Sequence, residues 1–477
     1  MRLRWRAGLG AAVAAVLGLT AVPAAAASAD TFAYRVKPGT ARWAAFTTYR
    51  QMVDATQMPA GTARRLSTAA LVRATLDHPL FGDVLAYNNS QHGLRRFSER
   101  FAGLRELLRR DDAGEVLLER YGDAAAHAGL RAGSATARDA GRVRLWQVET
   151  LLGHPEVLAD LAPAQLDRAL QVGQAAYARK ESDRGLFGLG GLQATAVVLG
   201  RALAVREGWD WRRAAVLRGE PAGSEAELAA VRSAVAGHRA APTRQHIVAD
   251  PPTDGPTEPG DGGAGPTEPG DGRAGPTEPA DGGAGPTEPG DGGTRPTEPG
   301  DGGTRPTEPG DGGTRPTDPD GDDAPDGNRG DEPITIYTPR GTAVQAQRQG
   351  SEMTESELRY VQQQIDSRFP RAVQESSPTR RYNCHSFAWY SQSPTNDVWL
   401  DSPGDDAFWE DGSYRRWRST QPAAAGMRVS WVYDDHSGIE VGRSGEIRAK
   451  WGQMPVMRAP VEYDPYDDLA LHRYVRQ

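Results

Sequence analysis

The sequence predicts a multidomain protein: an all-α helical domain at 30–245, a disordered acidic decapeptide-repeat linker at 246–332, and an α+β domain with an antiparallel sheet at 333–477. Three observations predict this. Apolar residues recur at helical spacing through the first region. The middle region repeats Pro, Gly, Thr and Glu with a ten-residue period. The last region has capped helices followed by short alternating runs.

Residues 1–29 read as a signal peptide. Arg2, Arg4 and Arg6 form a charged start, an Ala/Leu/Val run follows, and Ala27-Ser28-Ala29 offers a small-residue cleavage site. That run is short for a membrane span, so the expected location is secreted, extracellular or envelope-associated, with no span after cleavage.

In the helical region Ser67 is the expected N-cap of a helix over Ala69–Leu76. Leu94, Phe97, Phe101, Leu104 and Leu108 form one apolar face. Helical patterns continue over Glu115–Tyr121, Val143–Leu152, Ala164–Ala178 and Gln193–Arg206. His78 and His154, each followed by Pro, are read as partly charged caps of helix C-termini. Gly185–Gly200 is apolar but Gly-interrupted, which fits a buried helix better than a membrane span. No catalytic constellation stands out here. The expected role is anchoring, or docking of a protein partner.

Residues 251–330 hold 18 acidic and 5 basic side chains, so the net charge of −8 is a property of this segment, and the remainder sums to +5. With almost nothing apolar to bury, no core can form there. The expected function is a spacer. Its Gly-Asp-Gly-Gly units do not make calcium repeats, because the period is ten and Pro interrupts every unit. The folded parts carry no basic patch that calls for nucleic acid.

In the last region Ile334–Tyr337 is a strand entering a turn at Thr338–Gly341. Thr354 and Glu357 form a capping box, opening a helix whose face is Leu358, Val361, Ile365 and Phe369 and which stops at Pro370. Strands are expected at Arg428–Tyr433, Ser437–Val441 and Glu446–Trp451, the last two joined by a turn at Gly442–Gly445.

Between helix and strands lies Asn383-Cys384-His385-Ser386-Phe387-Ala388-Trp389-Tyr390, with the only cysteine of the chain. Asn383 is the expected N-cap, with Phe387, Ala388 and Tyr390 on the buried side. Cys384 then sits in a first helical turn, where backbone N–H groups favour the thiolate. A single cysteine cannot form an internal disulfide framework, so the thiol is filler, an intermolecular bridge or a reagent. His436, opening the second strand, is the candidate base. His385 falls on another face of the turn and is read as structural. Glu446 is the only residue on its face of the third strand able to accept an imidazole hydrogen bond, and is the candidate third member, with a backbone carbonyl as the alternative. Asp401, Asp405, Asp406, Glu410 and Asp411 read as a solvated acidic loop whose spacing fits no EF-hand loop. Neighbouring Cys-His ligands lack zinc-site spacing, so no metal and no cofactor is expected.

Asn383-Cys384-His385-Ser386-Phe387-Ala388 resembles the Asp-Cys-Ser-Gly-Phe-Val signature of NlpC/P60 peptidases, and His436-Ser437-Gly438-Ile439 their His-Val-Gly-Ile-Tyr strand. The related CHAP amidases share the Cys-then-His order. The sequence is also similar to secreted bacterial proteins with Asn-Cys-His-Ser-Tyr-Ala-Trp-Tyr and a later Lys-Trp-Gly, here Lys450-Trp451-Gly452. The resemblance covers the last third of the chain. It implies a papain-like fold with Cys384 as nucleophile and His436 as base. The signature's Asp, Ser and Gly are replaced by Asn383, His385 and Ser386. The expected function is a secreted cysteine hydrolase acting on amide bonds, with peptidoglycan or an envelope peptide as substrate. The alternatives are a non-catalytic envelope-binding protein of papain-like shape, and an acyl-transferring enzyme of transglutaminase or transpeptidase type.

Overall fold

Capping chemistry starts the helices where the sequence places it. Ser67 accepts from the Ala70 N–H at 3.2 Å and opens a helix over Thr68–Leu76. Thr354 and Glu357 form a reciprocal capping box that opens Glu355–Arg368, and Phe369 caps its end. The computed structural model describes residues 30–238 and 332–477, apart from 89, 129–133, 209–214, 219–224, 419–422, 432–435, 443–444 and 467–469. The signal segment, the decapeptide repeats, Tyr433 and the tip of the Gly442–Gly445 turn therefore lie outside the described residues.

The helical region comprises α1 (Ala41–Ala44), α2 (Tyr49–Ala55), α3 (Ala60–Arg65), α4 (Thr68–Leu76), α5 (Ser90–Arg100), α6 (Ala102–Leu108), α7 (Ala113–His127), α8 (Ala135–Leu152), α9 (Pro155–Ala159), α10 (Pro163–Ser182), α11 (Arg184–Glu207), α12 (Ala215–Arg218) and α13 (Glu225–Gly237). A 3₁₀ turn, Phe81–Ala86, precedes α5. The predicted stripe of Leu94, Phe97, Phe101 and Leu104 is buried, but an extended Phe101 breaks it into α5 and α6. Helix α11 is long and apolar enough to cross a membrane, yet 83% of that stretch is buried within the fold. His78 is not a charged cap. It lies among Tyr34, Phe97 and Phe101, accepts the Leu80 N–H at 3.0 Å, and burial pushes its pKa down to about 3. His154 is the N-cap of α9, while Gly153 ends α8.

The last region holds strands β1 (Glu332–Tyr337), β2 (Ala343–Arg348), β3 (Val373–Gln374), β4 (Val398–Trp399), β5 (Tyr414–Arg416), β6 (Arg428–Trp431), β7 (Ser437–Glu440), β8 (Glu446–Lys450), β9 (Val456–Pro460) and β10 (Leu471–Arg476), with helices α14 (Glu355–Arg368) and α15 (Ala407–Glu410). They form two antiparallel sheets. The smaller has the order β1-β2-β4 and the larger β3-β9-β8-β7-β6-β10-β5. The three predicted strands are β6, β7 and β8, at the centre of the larger sheet. Strands β2 to β5, β9 and β10 were not expected from the sequence; β10 inserts between β6 and β5.

The described residues of the helical region and of the last region belong to one unit, and a single apolar core runs from the helical residues into α14 and the larger sheet. The reason is chemical complementarity. Asp83 pairs with Arg368 in the interior and accepts from Tyr49 Oη at 2.8 Å. The Trp43 indole N–H donates to the Arg368 carbonyl at 2.8 Å. Removing one partner of the Asp83–Arg368 pair would leave the other charge buried and uncompensated, a cost of several kcal/mol.

Candidate functional site

Asn383 positions the cysteine turn. Its Oδ1 accepts from the Ser386 N–H at 3.1 Å, as an N-cap should, and its Nδ2 donates to the Leu400 carbonyl at 2.7 Å. Cys384 and His385 form the first turn. The backbone then widens to a π-helical turn, Ser386–Tyr390, closed by the Ser391 N–H on the Ser386 carbonyl. Such turns are rare and concentrate at functional sites. The widening changes which residues point inward: Phe387, Ala388 and Trp389 are buried, while Tyr390 is turned to solvent. The segment packs on β6, β7 and β8.

Cys384 is 1% exposed and its thiol donates to Asn88 Oδ1 at 3.7 Å. The imidazole with a carboxylate behind it is His385. Its Nδ1 stands 2.8 Å from Asp405 Oδ2 and 3.0 Å from Ser437 Oγ. The straighter bond goes to Ser437, which also accepts from the Trp389 indole N–H at 3.0 Å, so the carboxylate acts chiefly through its charge. Burial pulls the His385 pKa down, but the Asp405 charge and the Cys384 thiol together outweigh it and hold His385 well above an ordinary histidine. Among the described residues its buried Nε2 has no hydrogen-bond partner.

His436 is fully buried, stacked on Tyr466 at 3.5 Å between ring centroids and beside Trp431 at 4.5 Å. Among the described residues neither ring nitrogen has a hydrogen-bond partner. Burial, then the positive His385, drive its pKa well below the ordinary value, so it is neutral. No hydrogen bond joins it to Cys384 among the described residues.

Glu446 is not its partner. Strand β8 pairs with β7 so that the Val441 N–H meets the Glu446 carbonyl, five residues along the strand from His436, or about 16 Å. Glu446 instead accepts from Arg458 at 3.2 Å on the outer face. The carboxylate at the site is Asp405, fully buried in a 3₁₀ turn, Gly404–Asp406. It belongs to the loop read as solvated. Nothing in its spacing marks it out: the turn folds it inward onto a ring twenty residues earlier.

Lys450 is also buried. Its ammonium donates to the carbonyls of Thr379 at 2.8 Å, Gly452 at 2.6 Å and Met454 at 2.6 Å. Burial pulls its pKa to about 7, while the nearby Glu352 and Cys384 favour the charged form. Three acceptors match the three N–H bonds of that form. Among the described residues no group of three or more His, Cys, Asp or Glu is arranged to hold a metal.

Comparison with protein-family models, with curated proteins and with solved structures finds no match to this chain.

Proposed function

We propose that this protein is a cysteine hydrolase of amide bonds working by acyl transfer through Cys384, in a papain-like domain, with a secreted setting and envelope peptides as the substrate class. The observation that carries the reading is the His385 ring: a carboxylate and a hydroxyl hold Nδ1, and Nε2 is left free in the same turn as the only thiol. This is the wiring of a nucleophile–imidazole–carboxylate relay. As the substrate is attacked, His385 takes the thiol proton and is held as imidazolium by the Asp405 charge. The thiolate sulfur bonds the substrate carbonyl carbon, and the carbonyl π pair moves onto oxygen. On collapse the C–N bond breaks and the departing nitrogen takes the proton from His385. Water then repeats the sequence on the thioester and releases the acid. The neutral His436 leaves the positive charge on the His385 ring.

A second reading is a non-catalytic envelope-binding protein, favoured by the 1% exposure of Cys384. The two part on acylation with p-nitrophenyl acetate at pH 7, followed by mass spectrometry of the Cys384 peptide. Hydrolysis predicts an acyl adduct on Cys384 that turns over, and a Cys384→Ala variant without it. An unacylated Cys384 that iodoacetamide labels only on unfolding would leave the binding reading.

A further inference from the structure

The Cys384 thiol makes its hydrogen bond to a residue of the helical region, 296 positions earlier. Resting on the hydrolase reading above, we propose that Asn88 is a catalytic residue whose side-chain amide stabilises the oxyanion of the tetrahedral intermediate, so that the site is completed by both ends of the chain.

Lys450-Trp451-Gly452 is a motif that the relay leaves without a role. Lys450 ties down the Gly452 and Met454 carbonyls and so fixes the turn after β8. Gly452 adopts φ +51°, and a Cβ there would lie 2.5 Å from the Leu85 carbonyl oxygen, so only glycine admits the segment that rests on it. The Gln453 N–H donates to Leu85 O at 2.9 Å, and Tyr466, which stacks on His436, donates through Oη to the Ala86 carbonyl. Leu85 and Ala86 are thereby held on the thiol domain at two successive carbonyls. Asn88 follows two residues on, at the thiol.

In the acyl-transfer step the oxygen of the reacting carbonyl lies two bonds from sulfur. An amide 3.7 Å from Sγ can reach it at about 2.7–3.1 Å, the distance oxyanion donors need. In the resting thiol the amide presents oxygen to the S–H. When the thiol loses its proton, rotation of the amide presents Nδ2–H to the negative charge. The backbone N–H of Cys384, at the start of its turn, is the second donor. The helical region thus supplies part of the chemistry, which gives the shared core a purpose beyond stability.

The test uses the full chain with p-nitrophenyl acetate and, separately, iodoacetamide, each rate corrected for the Cys384→Ala background. Asn88→Leu and Asn88→Ala are expected to slow acylation of Cys384 by about 10²–10³-fold. Alkylation by iodoacetamide forms no oxyanion and should hold or rise. Gly452→Ala, which displaces the supporting segment, should slow acylation in the same sense. Unchanged or faster acylation in both Asn88 variants, with Cys384→Ala silent, overturns the role of Asn88 and leaves the hydrolase reading standing. Acylation of Cys384→Ala at the wild-type rate removes both.

Discussion

Two of the buried ion pairs among the described residues differ in how fully their polar atoms are satisfied. In the helical core Lys180 meets Glu149 at 2.5 Å. Glu149 also accepts from Tyr121 at 3.2 Å and Thr195 at 2.7 Å, and Lys180 donates to the Gly191 carbonyl at 2.8 Å. In the thiol domain His385 meets Asp405 at 2.8 Å, yet His385 Nε2, both Asp405 oxygens and both His436 nitrogens lack an aligned hydrogen-bond partner. Burying polar atoms unsatisfied costs roughly 1–3 kcal/mol each. The first pair is fully satisfied; the second leaves open the valences that the hydrolase proposed above would use.

The sharpest way to break the contrast is Asp405→Asn. It keeps the shape and removes the charge that holds the His385 proton, so acylation of Cys384 should fall by roughly 10³–10⁴-fold, as when the orienting carboxylate of a triad is neutralised. A rate within threefold of wild type would show the pair to be structural. Next, Glu149→Ala leaves Lys180 buried and alone and should cost about 3–5 kcal/mol in urea unfolding; a loss below about 1 kcal/mol would place the satisfied network elsewhere. Third comes pH. His78 and His436 have folded pKa values lowered by burial, so below about pH 6.5 the unfolded chain binds protons that the fold refuses. Stability should fall as pH drops from 6.5, by up to about 1.4 kcal/mol per unit for each ring. His385, raised instead, contributes stability that is fully present in that acid window and is lost only as pH rises through its folded pKa. His78→Leu should flatten the acid slope; an unaltered slope would mean that His78 takes up its proton inside the fold.

The two smallest effects separate the histidine from the glutamate. His436→Phe keeps the stack on Tyr466 and removes two unsatisfied nitrogens, so stability should rise by about 1–2 kcal/mol while acylation drops. A loss of stability would reveal a partner for that ring. Glu446→Gln, on the outer face, should move stability by less than about 0.5 kcal/mol and leave acylation unchanged. A large rate loss would return Glu446 to the site.

Local chemistry was legible residue by residue. The Ser67 cap, the Thr354–Glu357 box, the Asn383 cap and the three central strands are all set within a few positions of chain, by side-chain-to-backbone bonds and by alternation. What spacing could not reveal was which distant groups meet. Asp405 looked solvent-facing among other acids, His385 looked secondary beside Cys384, and Glu446 looked well placed only while the register of β7 and β8 was unknown. The sequence by itself determined a helical region, a repetitive acidic stretch and a thiol at the start of a helical turn beside an antiparallel sheet. The tertiary structure decided that the first and last regions share one core, that the carboxylate behind the imidazole is Asp405, and that Asn88 lies on the sulfur. The physical reason is that caps and periodicity are short-range, whereas burial of a charge is decided only when every neighbour is in place.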